Sequence, residues 1–166
     1  MFICVDTHYT SKKTIVAGVV FKDIESSVIE KEYQLVTTKA ENYLPGSFYL
    51  RELPGILQLL KKVDLSIHTA IVDGYVWLSA EREPGLGAHL HDALEQKIPV
   101  IGVAKSPYKD VTMALQVFRG RSAKPLYVTA VGIETGQAAH LIKNMNGKYR
   151  LPTLLKHVDT LSRKAT

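Results

Sequence analysis

The feature that most constrains this chain is a change of hydrophobic period about a third of the way along it. Up to Val36 the apolar residues fall in short runs of strand-forming type. Phe2 to Tyr9 alternates around Ile3 and Val5, Thr14 to Phe21 is rich in valine, and Val28 to Val36 carries Val28, Ile29, Tyr33, Leu35 and Val36. The breaks, Ser11-Lys12-Lys13 and Asp23-Ile24-Glu25-Ser26-Ser27, have hairpin length, so the runs predict antiparallel neighbours. From Pro54 to Val63 the residues Ile56, Leu57, Leu59, Leu60 and Val63 form a helical stripe instead. Pro54 is expected in the first turn of that helix, where its missing N–H costs nothing, with Glu52 just before it.

Strand and helix signals then alternate. Thr69-Ala70-Ile71-Val72 reads as a buried strand ending at Asp73-Gly74, and Leu86, Leu90, Ala93 and Leu94 mark a helix. Pro99 to Val103 and Pro125 to Thr129 read as further strands. Ala138, Leu141, Ile142 and Met145 mark a helix with Thr135 as its cap and Gly147 as its stop, and Leu154, Leu155, Val158 and Leu161 mark the last one. Three antiparallel strands followed by βα units, the later ones parallel, make a mixed α/β sheet flanked by helices. This is the order of the ribonuclease H-like architecture. Nothing suggests a linker or a repeat, so residues 1–166 are read as one domain.

Composition excludes several classes. At 46% hydrophobic and 22% charged residues the chain is neither disordered nor fibrous. The single cysteine, Cys4, excludes an intrachain disulfide; inside an apolar run it reads as a buried structural thiol in a reducing compartment. No run approaches the roughly 18 apolar residues of a membrane span, so a cytoplasmic chain with no membrane partner is expected. The net charge of +5 favours a polyanionic partner. Arg119, Arg121 and Lys124, with Lys143, Lys148, Arg150 and Lys156, are candidates for a basic face. His8, His68, His89, His91, His140 and His157 show no ligand spacing.

Three acids stand at telling places. Asp6 interrupts the first apolar strand, Glu52 precedes the first helix, and Asp73 ends the first central strand. Burying a lone Asp is costly unless it is paired or metal-bound, and the C-terminal ends of strands in open α/β sheets are common sites. On adjacent strands Asp6 and Asp73 would offer hard oxygen ligands suited to Mg²⁺ or Mn²⁺. Pattern alone leaves the alternative open: Asp6 facing solvent, Glu52 an exposed first-turn acid, and Asp73-Gly74 a simple turn.

At these same residues the sequence resembles the endonuclease V family of deoxyinosine-directed nucleases. Four blocks carry the likeness: Val5-Asp6-Thr7-His8-Tyr9; Tyr43-Leu44-Pro45-Gly46 leading to Leu50-Arg51-Glu52-Leu53-Pro54; Val72-Asp73-Gly74 with Gly85-Leu86-Gly87-Ala88-His89-Leu90 and Ile101-Gly102-Val103-Ala104-Lys105-Ser106; and Lys124 to Thr129 leading to Tyr149-Arg150-Leu151-Pro152. The resemblance implies that Asp6, Glu52 and Asp73 are the metal-binding carboxylates and that Lys105 lies near the scissile phosphate. It implies that Tyr43, Leu44, Pro45 and Gly46 form the wedge that splays DNA at the lesion. The implied activity is metal-dependent endonucleolytic hydrolysis of deaminated or damaged nucleic acid, DNA and possibly RNA, with Mg²⁺ or Mn²⁺ as cofactor.

The chain also departs from the family. After Asp73-Gly74 the family's two histidines are replaced within Tyr75 to Pro84, and an ungapped match puts Gly132 (with a one-residue shift, Ile133) where the family has an active-site His. Glu134 is a candidate substitute ligand, with an exposed acid near a helix start as the plainer reading. The segment from Pro107 to Ala123 is short, and the chain begins at the first strand without the family's leading helix. These departures keep a second expectation open, a non-catalytic nucleic-acid-binding module, and a third, a protein that has kept only the fold.

Overall fold

The computed structural model describes residues 1–38, 48–109 and 113–164. Strands β1 (Phe2–Tyr9), β2 (Thr14–Phe21) and β3 (Lys31–Thr37) form the antiparallel meander. Helix α1 (Phe48–Leu60) leads to β4 (Thr69–Asp73), and α2 (Leu86–Ala93) to β5 (Val100–Ala104). Then come β6 (Leu115–Val117), β7 (Leu126–Val131), α3 (Thr135–Asn144) and α4 (Thr153–Arg163). The seven strands lie in the order β3-β2-β1-β4-β5-β7-β6, a ribonuclease H-like mixed sheet. β4 runs parallel to β1 and β5 parallel to β4, as βα crossovers require. Strand β7 runs antiparallel to β5, because β5 reaches it through the β6 hairpin rather than a crossover helix.

Alternation along the strands builds two cores. Cys4, Ile71, Ile101 and Val103 face α3 and α4, where they meet Ile142, Leu154 and Val158. Ile3, Val5, Val72 and Val100 face α1 and α2, where they meet Ile56, Leu59 and Leu90. Cys4 is fully buried, as expected, and burial pushes its thiol up to about 12.

Two expected boundaries move. The third strand begins at Lys31 rather than Val28, because Asp23 and Ser26 side chains accept from the Glu25 and Val28 N–H groups and hold that stretch in turns. The first helix begins at Phe48, so Pro54 lies inside it and Glu52 is a helical residue. Pro54 deprives the Leu50 carbonyl of a helical donor, but both residues lie on the exposed side, where that loss costs least. The added turn is held by the Tyr49 ring stacked on His89 of α2, centroids 3.6 Å apart, and by the Arg51 guanidinium 3.8 Å over the Tyr9 ring. Among the described residues no helix is long and apolar enough to cross a membrane.

Candidate active site

The parallel registers decide where the acids meet. Val5 pairs with Val72 and Asp73 with Val103, so Asp6, Asp73 and Lys105 emerge side by side at one edge of the central strands. Because side chains alternate, Asp6 and Asp73 project on the same face as Cys4 and Ile71, toward α4. A pocket there is lined by Asp6, Asp73, Lys105, Leu151, Leu155 and Asp159 among others. Glu52 comes from the opposite layer, on α1, and is buried with 7% of its surface exposed.

Asp159 was absent from the sequence-based set, and it belongs to this cluster. It sits on α4 among Leu155, Val158 and Ser162, all buried. An acid inside an otherwise apolar helical stripe was the available signal. Lys105 Nζ donates to Asp73 Oδ2 at 3.0 Å and to Asp159 Oδ1 at 3.5 Å. Arg163 donates to Asp159 at 3.1 Å, and Lys156 donates to it at 3.4 Å. Ser162 Oγ donates to Asp6 Oδ2 at 2.8 Å, tying β1 to α4.

These contacts divide the acids. Burial, and then repulsion from Asp73, raise the Asp6 carboxyl above the ordinary value, although Ser162 and Lys105 oppose them. Burial again comes first for Glu52, with Asp6 and Asp73 adding to it, and its carboxyl is held well above the usual range. Burial works the same way on Asp159, but the hydrogen bond from Arg163 and the charges of Lys105 and Arg163 outweigh it and hold that group low. Burial opposes charge on Lys105, yet Asp73, Asp159 and Asp6 more than offset it and raise its pKa.

Two acids raised by burial and by one another are what a divalent cation would relieve, and carboxylate oxygens are the right donors for a hard ion. The fit is one of charge and donor type. Among the described residues no three His, Cys, Asp or Glu side chains are grouped as a ready ligand set; Lys105 bridges Asp73 and Asp159, and Ser162 engages Asp6.

Other candidates fall elsewhere. The residues Tyr43, Leu44, Pro45 and Gly46 lie outside the described residues. Gly132 and Glu134 are at the opposite end of the sheet: Ala104 pairs with Tyr127 at the carboxylate edge, whereas Val131 pairs with Val100 at the far one. Glu134 therefore does not substitute for a ligand at this site, and a side chain at Gly132 would meet Pro99 and His91 instead. Tyr75, at the first of the family's histidine positions, is buried and donates its hydroxyl to the Ser106 carbonyl at 2.7 Å. Arg119 is not a surface cation: it is 6% exposed and its guanidinium donates to five backbone carbonyls between Lys143 and Arg150. Of the histidines, His91 is buried on the Ile98 carbonyl and His157 meets Glu32.

The chain is similar to known proteins along most of its length. The endonuclease V family profile matches residues 1–160. An endonuclease V from Alkalilimnicola ehrlichii is 29% identical, covering 90% of this chain and 74% of its own. One from Streptomyces avermitilis is 27% identical, covering 97% and 78%. The crystal structure of the Streptomyces avermitilis protein superposes with a TM-score of 0.80 at 23% identity, covering 98% of this chain and 79% of its own. Human ENDOV gives 0.79 at 20% identity, covering 98% and 82%. An endonuclease V from Ciona intestinalis, in complex with a 23mer DNA containing an inosine followed by a ribo-adenosine, gives 0.81 at 20% identity, covering 98% and 83%.

Proposed function

The chain belongs to the endonuclease V family, a family of metal-dependent nucleases, and from that membership we propose that it is an endonuclease hydrolysing phosphodiester bonds in deaminated, inosine-containing or otherwise damaged nucleic acid. The observation that carries the reading is the convergence of Asp6, Asp73 and Asp159 around Lys105, with buried Glu52 coupled to the first two. Asp6, Glu52 and Asp73 would hold Mg²⁺ or Mn²⁺, which when bound supplies an activated water and charge stabilisation at the phosphate. Lys105, the cation at the pocket, would face the scissile phosphate and balance the charge that builds there. Asp159 positions the Lys105 ammonium and adds a carboxylate to the set. The wedge role of Tyr43, Leu44, Pro45 and Gly46 rests on resemblance alone.

The test is nicking of inosine-containing and plain DNA and RNA with Mg²⁺ and with Mn²⁺. Removing one carboxylate from such a site forfeits several kcal/mol of transition-state stabilisation, so cleavage by Asp73→Ala should fall on the order of a thousand-fold or more. Undiminished cleavage by a folded Asp73→Ala protein overturns the assignment.

A second reading, a nucleic-acid-binding module without catalysis, draws on the segment after Gly74. There the Tyr75 hydroxyl is engaged by a backbone carbonyl and Trp77 Nε1 donates to the Ala130 carbonyl at 3.0 Å, so this segment serves packing where the family carries histidines. Salt-sensitive binding without metal-dependent cleavage by the wild type would favour it.

A further inference from the structure

Charge is unevenly spread along this chain. Between residues 111 and 158 there are seven Lys and Arg residues and a single acid, Glu134. Two of the seven are taken up internally. Arg119 donates to the carbonyls of Met145 at 2.6 Å, Tyr149 at 2.7 Å and Gly147 at 3.0 Å, among others. Arg150 donates to the Pro125 carbonyl at 2.8 Å, the Lys124 carbonyl at 3.1 Å and the Lys105 carbonyl. What these clamps leave exposed includes Arg121, Lys124, Lys143, Lys148 and Lys156.

The clamps also shape a surface. Arg119 pins the 145–150 segment against the turn at Gly120, which packs so closely that a Cβ there would lie 2.5 Å from the Lys148 carbonyl. Gly120 also has a φ of +61°, so the position suits glycine on both counts. The two loops held back to back form an open groove lined by Arg121, Lys148 and Tyr149. Tyr149 is 69% exposed, an unusual place for a ring that large, and the Lys148 ammonium lies 5.4 Å from its centroid. The segment that lines the groove leads on to the carboxylate pocket: Arg150 donates to the Lys105 carbonyl and Leu151 lines that pocket.

We infer that the Arg121–Lys148–Tyr149 groove is a docking site for the single strand of nucleic acid that flanks the bond placed at the carboxylate pocket. Arg121 and Lys148 contact consecutive phosphates, and the Tyr149 ring offers its free face to an unpaired base. Cations along a backbone path with an exposed aromatic between them are the chemistry of sequence-tolerant single-strand binding. The arginine clamps hold the groove in shape before binding, which lowers the ordering entropy that docking must overcome. This inference rests on the proposed nuclease reading for its substrate class, and its test separates the two.

The experiment is fluorescence anisotropy of an undamaged single-stranded oligonucleotide with the full chain in a metal chelator, over a range of salt. Tyr149→Ala should weaken binding by about five- to a hundred-fold, whereas Tyr149→Phe, which keeps the ring, should bind as wild type. Arg121→Gln with Lys148→Gln should reduce the slope of log affinity against log salt by about 1.4, the share of two phosphates on a single strand. Wild-type affinity and slope in these variants overturn the inference. If the wild type cleaves but the groove variants bind unchanged, the groove falls and the nuclease reading stands. If nothing cleaves but the groove variants lose binding, the groove stands and the nuclease reading falls.

Discussion

Glu52 is the residue at which the chemistry of this chain is most concentrated. Its carboxyl is buried, raised by desolvation and by the neighbouring Asp6 and Asp73, and Arg51 opposes this only in part. For an acid held high in the folded state, the folded chain binds the proton more tightly than the unfolded one. That stability is fully present below the ordinary carboxylate pKa and is lost as pH rises through the raised value. In chelator, the Tm of the wild type should therefore fall relative to Glu52→Gln as pH is raised from acid toward neutral. A difference of about 1 kcal/mol would shift Tm by about 2–4 °C in a domain of this size. Parallel melting curves for the two proteins would count against the burial of a charge here. On the proposed reading protons and metal compete for the same oxygens, so metal affinity should rise over the same pH window.

At the scale of elements, the parallel pairing of β4 and β5 makes the site possible, and Gly102 sets how closely its turn can pack. Val72 pairs with Gly102, and a Cβ at that position would lie 2.6 Å from the Gly74 carbonyl and 2.9 Å from the Val76 nitrogen. Gly74 and Val76 form the turn that follows Asp73, and the Val76 N–H donates to Thr129 Oγ1 at 2.8 Å. Gly102→Ala should therefore cost about 1–3 kcal/mol in urea unfolding, the usual penalty for overpacking. It should also reduce nicking by displacing Asp73; an unchanged unfolding midpoint would show that the turn can yield. This contact gives a physical reason for the glycine in Ile101-Gly102-Val103-Ala104-Lys105-Ser106. Helix α1 shows the same scale from the other side. Its early start places Glu52 within a turn held by Tyr49 on His89 and Arg51 on Tyr9, contacts between segments far apart in the chain.

For the whole molecule, the acids gather at one edge of the sheet while the segment from 111 to 158 carries the basic excess. Such a field draws a polyanion toward a site that itself repels phosphate until a cation is bound. On the proposed reading, folding and metal binding are linked through the same carboxylates. Mn²⁺ at about a hundred times its Kd should add about 2.7 kcal/mol to stability, which corresponds to about 5–11 °C in Tm. The gain should be largely lost in Asp73→Ala. An equal gain in that variant, read by the same thermal melt, would place the ion elsewhere.

Local pattern by itself determined the three-strand start, the later helix and strand alternation, the buried Cys4, and the positions of Asp6 within the first strand and Asp73 at the end of the fourth. These follow from side-chain period and turn residues, which are short-range properties. Pattern also marked Glu52 beside the first helix, the resemblance singled out Lys105, and the structure brings both to the two aspartates. Only the tertiary structure decided the rest. It turned β7 against β5, which sends Gly132 and Glu134 to the far end of the sheet. It moved Pro54 into the interior of α1 through contacts with β1 and α2. It withdrew Arg119 from the surface into a cage of carbonyls and brought Asp159 to Lys105 across 54 positions of chain. Strand direction and long-range pairing depend on which faces must be buried together, and no window of neighbouring residues contains that information.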